Sequence, residues 1–291
     1  MRFDSLSGLT RCRALWAALL LSIAMAAGAE PVPVLVCYPG GPVNENDARA
    51  SMDEMLRVIE RLGQWPAQQF TSLFSSSLSE CKQLFDDKRP GFSILSLGLY
   101  LERREKYDLI PLVRPRINGE SSERYRVMAQ PGKFDGIDAL KGKSLGGTPL
   151  DDADFVSRIV FEGRYPVLSF FEPKPTRMAL KSIRAVAKGE LDAVLLNQQQ
   201  YDALPALKLN SPLAVIYESD AIPLIGVVAD KTRTQPQERE RFAKAMNSLC
   251  ADAEGARLCA LFGVDAFVGV EPSIYSEVIK RWNPNNKAAG Q

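Results

Sequence analysis

Short apolar runs alternating with amphipathic stretches constrain this chain more than any other feature of its sequence. Val32 to Tyr38 (VPVLVCY) is too short for an ordinary helix and breaks at Pro39-Gly40-Gly41-Pro42, so it reads as a buried strand entering a loop. From Asn44 to Leu62 the residues Met52, Met55, Leu56, Ile59 and Leu62 recur at helical spacing, with Asn44, Asn46 or Asp47 as N-cap and Gly63 as the stop. Gln68 to Phe74 predicts a second strand. Ser75-Ser76-Ser77 then opens a helix with the stripe Leu78, Cys81, Leu84 and Phe85, and Phe92 to Leu97 predicts a third strand. A β-α-β-α-β order at these spacings argues for parallel strands flanked by helices.

Two extended segments follow, Leu109 to Arg114 and Arg124 to Gln130, and the rhythm then restarts. Strands are expected at Lys143 to Gly147, Leu168 to Phe171, Leu191 to Leu196 and Leu213 to Tyr217, with helices at Ala153 to Phe161 and Thr176 to Lys188. Ile222-Pro223 leads into Leu224 to Ala229, and the C-terminal third ends in helices, the strongest carrying Phe242, Ala245, Met246 and Leu249. Of 291 residues, those after position 29 suffice for two domains of ordinary size.

Residues 1–29 are expected to be an export signal outside the fold. Arg2, Arg11 and Arg13 precede an apolar run from Ala14 to Ala27, and Ala27-Gly28-Ala29 offers small residues for cleavage after Ala29. The run falls short of the roughly 20 residues needed to span a bilayer, so a periplasmic protein is expected. In that oxidising compartment Cys37, Cys81, Cys250 and Cys259 can pair in three ways. Cys250–Cys259 is favoured across a helix-to-helix junction at Ala253-Glu254-Gly255, leaving Cys37 and Cys81 as a second bridge or as two buried thiols.

Composition narrows the chemistry. The chain has no histidine, which removes the Ser-His-Asp triad, the Cys-His pair and His-ligated zinc together. With 36 basic against 35 acidic residues and no basic block, nucleic acid is not an expected partner. Neither a metal nor a cofactor is expected.

Several phrases carry a resemblance. Leu140-Lys141-Gly142-Lys143-Ser144-Leu145-Gly146-Gly147, after Gly136-Ile137-Asp138, resembles the entry into the second domain of type II periplasmic solute-binding proteins. Ala185 to Val194 (AVAKGELDAV) is similar to the helix-Gly-strand phrase of that superfamily. Ile222-Pro223 and Leu261 to Phe267 resemble the return crossover and C-terminal helices of its phosphate/phosphonate-binding branch. The resemblance implies an α/β fold of two Rossmann-like domains joined by two hinge crossings, with the ligand cleft between them and closure on binding. The expected boundaries are 30–125 with 222–291 for the first domain and 126–221 for the second.

Ligand crevices of open parallel sheets lie beyond the carboxyl ends of strands. That rule selects Tyr38, Ser75, Ser76 and the stretch from Ser96 to Tyr100 in the first domain, and Gly147, Thr148, Thr176 and Asn197 in the second. Each has a plain structural role beside the functional one, as a helix cap, a packing aromatic or a strand terminator. The chain departs from the phosphate/phosphonate branch at residues 147–154, Gly-Thr-Pro-Leu-Asp-Asp-Ala-Asp. Members usually present hydroxyls and a glycine at this helix start; here Thr148 is the one hydroxyl, Pro149 removes an N–H, and Asp151, Asp152 and Asp154 lie on the positive helix end.

The leading functional expectation is a monomeric solute-binding protein that delivers a small molecule to an ATP-driven importer in the inner membrane. One alternative is a module of the same fold feeding a membrane sensor or other protein. Another is a dehydratase-like enzyme using Asp151, Asp152 or Glu172 as acid.

Overall fold

The computed structural model describes residues 30–37 and 45–283. Its strands are β1 (Val32–Cys37), β2 (Phe70–Ser75), β3 (Phe92–Ile94), β4 (Leu109–Arg116), β5 (Ser122–Glu123), β6 (Arg126–Ala129), β7 (Ser144–Gly147), β8 (Glu172–Pro175), β9 (Ala193–Leu196), β10 (Ala214–Glu218), β11 (Ile222–Pro223), β12 (Val227–Asp230) and β13 (Ala266–Gly269). The helices are α1 (Glu45–Gly63), α2 (Leu78–Lys88), α3 (Leu97–Arg103), α4 (Ala153–Phe155), α5 (Val167–Phe170), α6 (Ala179–Lys188), α7 (Gln198–Asp202), α8 (Pro236–Leu249), α9 (Ala253–Leu261) and α10 (Ser276–Trp282).

The strands form two principal sheets. One has the order β13-β4-β12-β3-β1-β2 and the other β10-β6-β9-β7-β8. In the first, β1 pairs in parallel with β2 and β3, as the opening β-α-β-α-β pattern predicts, and β12 returns antiparallel between β3 and β4. In the second, β7 is parallel to β8 and β9, whereas β6 is antiparallel to β9 and β10. The chain passes between the sheets twice, and the two passages pair as β5 with β11, Glu123 opposite Ile222. This is the mixed α/β, two-sheet architecture expected from the sequence.

Burial explains the order of the strands. β9 (AVLL) is buried at every position, as the central strand of a sheet covered on both faces must be. β8 (EPKP) lies at the sheet edge, where the missing N–H groups of Pro173 and Pro175 do least harm. Behind the first sheet, Phe242 of α8 stacks on Phe92 at 4.2 Å between ring centroids, and Phe70 meets both edge-on.

Three local expectations are corrected. Leu168 to Phe171 is not a strand: Pro166 caps the short helix α5 there, and the strand begins at Glu172, in register with Ser144. Phe92 to Leu97 stops being strand at Ile94 because Ser96 starts α3. The closing Leu261 to Phe267 is not wholly helical. Gly263 turns the chain at φ 66°, and β13 adds an antiparallel edge strand to β4. Cys37 is bonded to Cys81 and Cys250 to Cys259, each pair with Cα atoms 5.7 Å apart.

Candidate functional site

A cavity of about 1160 Å³ opens where the strand ends of both sheets meet the two crossings. From the first sheet it is lined by Ser96 and Gly98, and from the second by Thr148, Asp151, Asp152 and Asn197. The crossings add Ser122 to Arg126 on one side and Ala221 to Gly226 on the other.

The second-sheet wall is built by side chains that cap their own helices. Asn197 is the N-cap of α7: its Oδ1 accepts the Gln200 N–H at 3.0 Å, and its own N–H donates to Gln200 Oε1. Gln200 Nε2 also donates to Thr148 Oγ1 at 2.7 Å, joining the end of β9 to the end of β7. Asp152 is the N-cap of α4 and accepts the Phe155 N–H at 3.0 Å. Burial pushes its carboxyl up to about 6, against the pull of that N–H and of Lys82. Gly98 packs directly on it, since a Cβ there would overlap the Asp152 carboxylate and the Phe155 side chain.

On the first-sheet side the start of α3 lines the cavity, and the start of α2 lies off the lining. Ser96 caps α3 by accepting the Leu99 N–H at 3.3 Å. At the start of α2, Ser75 Oγ accepts the Ser77 N–H at 3.0 Å and donates to Glu80 Oε2 at 2.8 Å. The Leu78 N–H donates across the gap to Asp151 Oδ2 at 3.2 Å.

The crossings contribute charged side chains as well. Glu123 receives the Tyr125 hydroxyl at 2.9 Å, and burial pushes its carboxyl up to about 7, opposed by that hydroxyl and the Gln198 N–H. Arg126, 9% exposed, donates to Glu218 at 2.7 Å and Gln198 at 2.8 Å and lies 4.1 Å over the Tyr201 ring. Arg124 donates to the Ser219 carbonyl at 2.8 Å. The cavity thus has five carboxylates, Glu120, Glu123, Asp151, Asp152 and Asp202, against two guanidinium groups that already have partners.

Of the residues expected at the site, Ser96, Thr148 and Asn197 come together on the cavity. Ser75, Ser76 and Gly147 lie beside it but are buried and are not on its lining. Gly147 has φ 142°, and a Cβ there would overlap the Leu195 carbonyl. Tyr100, its hydroxyl pushed up by burial, packs on Tyr275 at 5.8 Å. Thr176 caps the approach to α6 by accepting the Met178 N–H. Tyr38 lies outside the described residues. Gly98 falls within the Ser96 to Tyr100 stretch that the strand-end rule selects, whereas sequence reasoning missed Glu123 and Gln198. The nearest signal was the Ile222-Pro223 crossing, whose antiparallel partner is Ser122-Glu123. Among the described residues no group of side chains suits a metal ion, and no helix is long and apolar enough to cross a membrane.

Two sheets, a double crossing and a cavity at their strand ends define the class of type II periplasmic binding proteins. Residues 41–275 match the model of the periplasmic substrate-binding proteins of ABC phosphonate transporters, and the chain belongs to that family. The family is one of substrate-binding proteins rather than enzymes; membership implies a small-molecule ligand, a membrane permease partner and a periplasmic location. Among solved structures, the binding-protein component of an ABC phosphonate transporter from Pseudomonas aeruginosa is similar at TM-score 0.65 and 14% identity, covering 89% of this chain and 90% of that one. An ATP-bound protein from Xanthomonas citri is similar at TM-score 0.68 and 11% identity, over 89% and 99% of the two chains. A Prochlorococcus marinus protein in complex with methylphosphonate is similar at TM-score 0.63 and 13% identity, over 88% and 99%. No curated protein matches.

Proposed function

We propose that this chain is exported through a signal at residues 1–29, captures a small solute in the cavity between its two sheets, and presents it to an ATP-driven importer. Residues 30–125 with 222–291 act as one lobe and residues 126–221 as the other. The paired crossings at β5 and β11 serve as the hinge. The observation that carries this reading is the cavity of about 1160 Å³ at the strand ends of both sheets, a volume suited to a small organic solute.

The charge of the lining supports a solute that carries a cationic group. Five carboxylates face two guanidinium groups, and Arg126 and Arg124 are held by Glu218, Gln198 and the Ser219 carbonyl. A positively charged group beside Asp152 and Glu123 restores the interactions that burial removes from their ionised forms.

The reading is tested by a thermal-shift screen of the exported protein against amines, amino acids, small carboxylates, methylphosphonate and phosphate. A solute at 100 times its dissociation constant adds about 2.7 kcal/mol of stability. Stabilisation by a cation-bearing solute is the expected result, weakened in Asp152→Asn. Stabilisation by none of them counts against the solute-binding reading.

A further inference from the structure

We propose that Arg281, in the last turn of α10, is a positioning residue: by gripping two carboxylates of the second lobe from outside the cavity, it sets the orientation of the two sheets. This rests on the two-lobe reading of the function and names the contact that decides how far the lobes open.

α10 is seated on the first lobe. Tyr275, fully buried just before the helix, packs on Tyr100 at 5.8 Å and donates its hydroxyl at 2.8 Å to the carbonyl of Leu224, the residue after β11. Val278 is buried within the helix, and Asn283, just past its end, donates to Glu105 at 3.1 Å. The helix is thus fixed both to the first lobe and to the second crossing.

Its last turn reaches the other lobe. The Arg281 guanidinium donates through Nη1 to Glu162 Oε1 at 3.0 Å and through Nη2 to Asp220 Oδ2 at 3.3 Å. Glu162 lies just past the π-helical turn Val156–Val160, and Asp220 lies just before β11, so one planar fork ties two separate places of the second lobe to the helix. The contact is returned from that turn: Arg158 Nη1 donates to the Trp282 carbonyl at 2.8 Å, and its guanidinium lies 5.3 Å over the Trp282 ring. None of Arg158, Glu162, Asp220, Arg281 and Trp282 lines the cavity.

A rotation about the paired crossings moves Arg158 and Glu162 relative to α10, so these bonds hold over only one range of orientations. Each is weak alone, because the Arg281 side chain is 35% exposed and that of Asp220 67%. Two conformers of a hinged protein differ by so little, however, that losing a contact of this size changes their ratio severalfold.

The test is double electron–electron resonance on the ligand-free exported protein. Spin labels are attached at Asp87→Cys on α2 and Lys181→Cys on α6, two exposed positions on different lobes, with both disulfides intact. In this background Arg281→Ala removes the fork, Arg281→Lys keeps the charge without the fork, and Lys280→Ala removes an exposed charge from the same helix. Arg281→Ala is expected to change the ratio of the distance populations by about three- to tenfold. Lys280→Ala should keep the wild-type distribution, and Arg281→Lys should fall between. Molar salt should move the wild type toward the Arg281→Ala distribution and leave that variant unchanged. Thermal melts check that each variant folds, and the salt series gives the same comparison in the unaltered helix. An Arg281→Ala distribution identical to wild type overturns the proposal, as does an equal change in Lys280→Ala, since loss of any charge on α10 would then suffice. If the distances respond as expected while no solute stabilises the protein, this inference stands and the solute-binding reading fails. If a solute stabilises the protein while the distances do not respond to Arg281→Ala, the inference fails and the solute-binding reading stands.

Discussion

The two walls of the cavity are held by different means. On the second-sheet side the bonds named above are internal, Thr148 to Gln200, Gln200 to Asn197 and Asp152 to Phe155, apart from the one Asp151 makes across the gap to Leu78. On the first-sheet side the start of α2 is braced by the Cys37–Cys81 bond to the end of β1, and its Leu78 N–H depends on a carboxylate from the other sheet. The difference teaches which wall is preorganised. The second is bonded mainly within itself, whereas the start of α2 is completed by a carboxylate of the other side.

The largest effects should come from removing each wall's brace. Replacing Cys37 and Cys81 by Ser releases a loop of 44 residues, for which chain entropy gives a loss of about 4 kcal/mol. The Cys250–Cys259 bond spans nine residues between α8 and α9, with Cys259 on the cavity lining, and should cost about 2.7 kcal/mol. Urea titrations of the two double variants check the ranking, and the first pair should weaken solute binding more than the second. An equal loss of binding in both would remove the special place given to the α2 start.

On the opposite wall, Gly147→Ala is expected to cost about 3 kcal/mol, because it places a Cβ against the Leu195 carbonyl at a backbone angle that L residues avoid. Thermal unfolding reads this directly. A loss below about 1 kcal/mol would mean that β7 can shift away from β9, and that the second wall is less rigid than its bonds suggest.

These two sites also show how much was legible beforehand. The parallel β-α-β rhythm, the return of the chain at Ile222-Pro223 and the Cys250–Cys259 junction could be read locally, because periodicity and turn residues act over a few positions. Thr148 and Asn197 were legible because the strand-end rule needs only a strand and its successor. Glu123 and the Asp151–Leu78 bond were not. Each is defined by a partner distant in sequence, Gln198 for Glu123 and Leu78 for Asp151, and pairing at that range depends on how the two sheets face each other. Leu168 to Phe171 failed for a local reason. An apolar run of four fits a buried strand or a short helix equally well, and Pro166 decided for the helix.

Next in size is a pH effect that belongs to the second wall. The folded pKa of Asp152, about 6, lies above the ordinary carboxylate value of 3.8, so the folded state holds that proton more tightly than the unfolded one. The contribution of this group to stability is therefore full below pH 4 and lost as pH rises through 6. Lys82 opposes the shift, and Glu102 and Asp154 add to it. Asp152→Asn keeps an acceptor for the Phe155 N–H and removes the charge. It should raise stability by about 2 kcal/mol at pH 7.5 and leave it unchanged near pH 4, the difference of the two urea midpoints being the measurement. A pH-independent gain would place the effect in packing instead.

The smallest expected effects separate lining from capping. Ser96→Ala and Thr176→Ala each remove one side-chain bond to a backbone N–H near a helix start, and each should cost about 1 kcal/mol or less. They differ in position: Ser96 lines the cavity on the first-sheet wall, and Thr176 is not on its lining. If the wall that borrows its bonds is the one that responds to solute, Ser96→Ala weakens solute binding severalfold at a stability cost no greater than that of Thr176→Ala, which leaves affinity unchanged. Because the two losses of stability match, a difference in affinity cannot be attributed to partial unfolding. Equal affinities would confine the solute contacts to the second-sheet wall and the crossings.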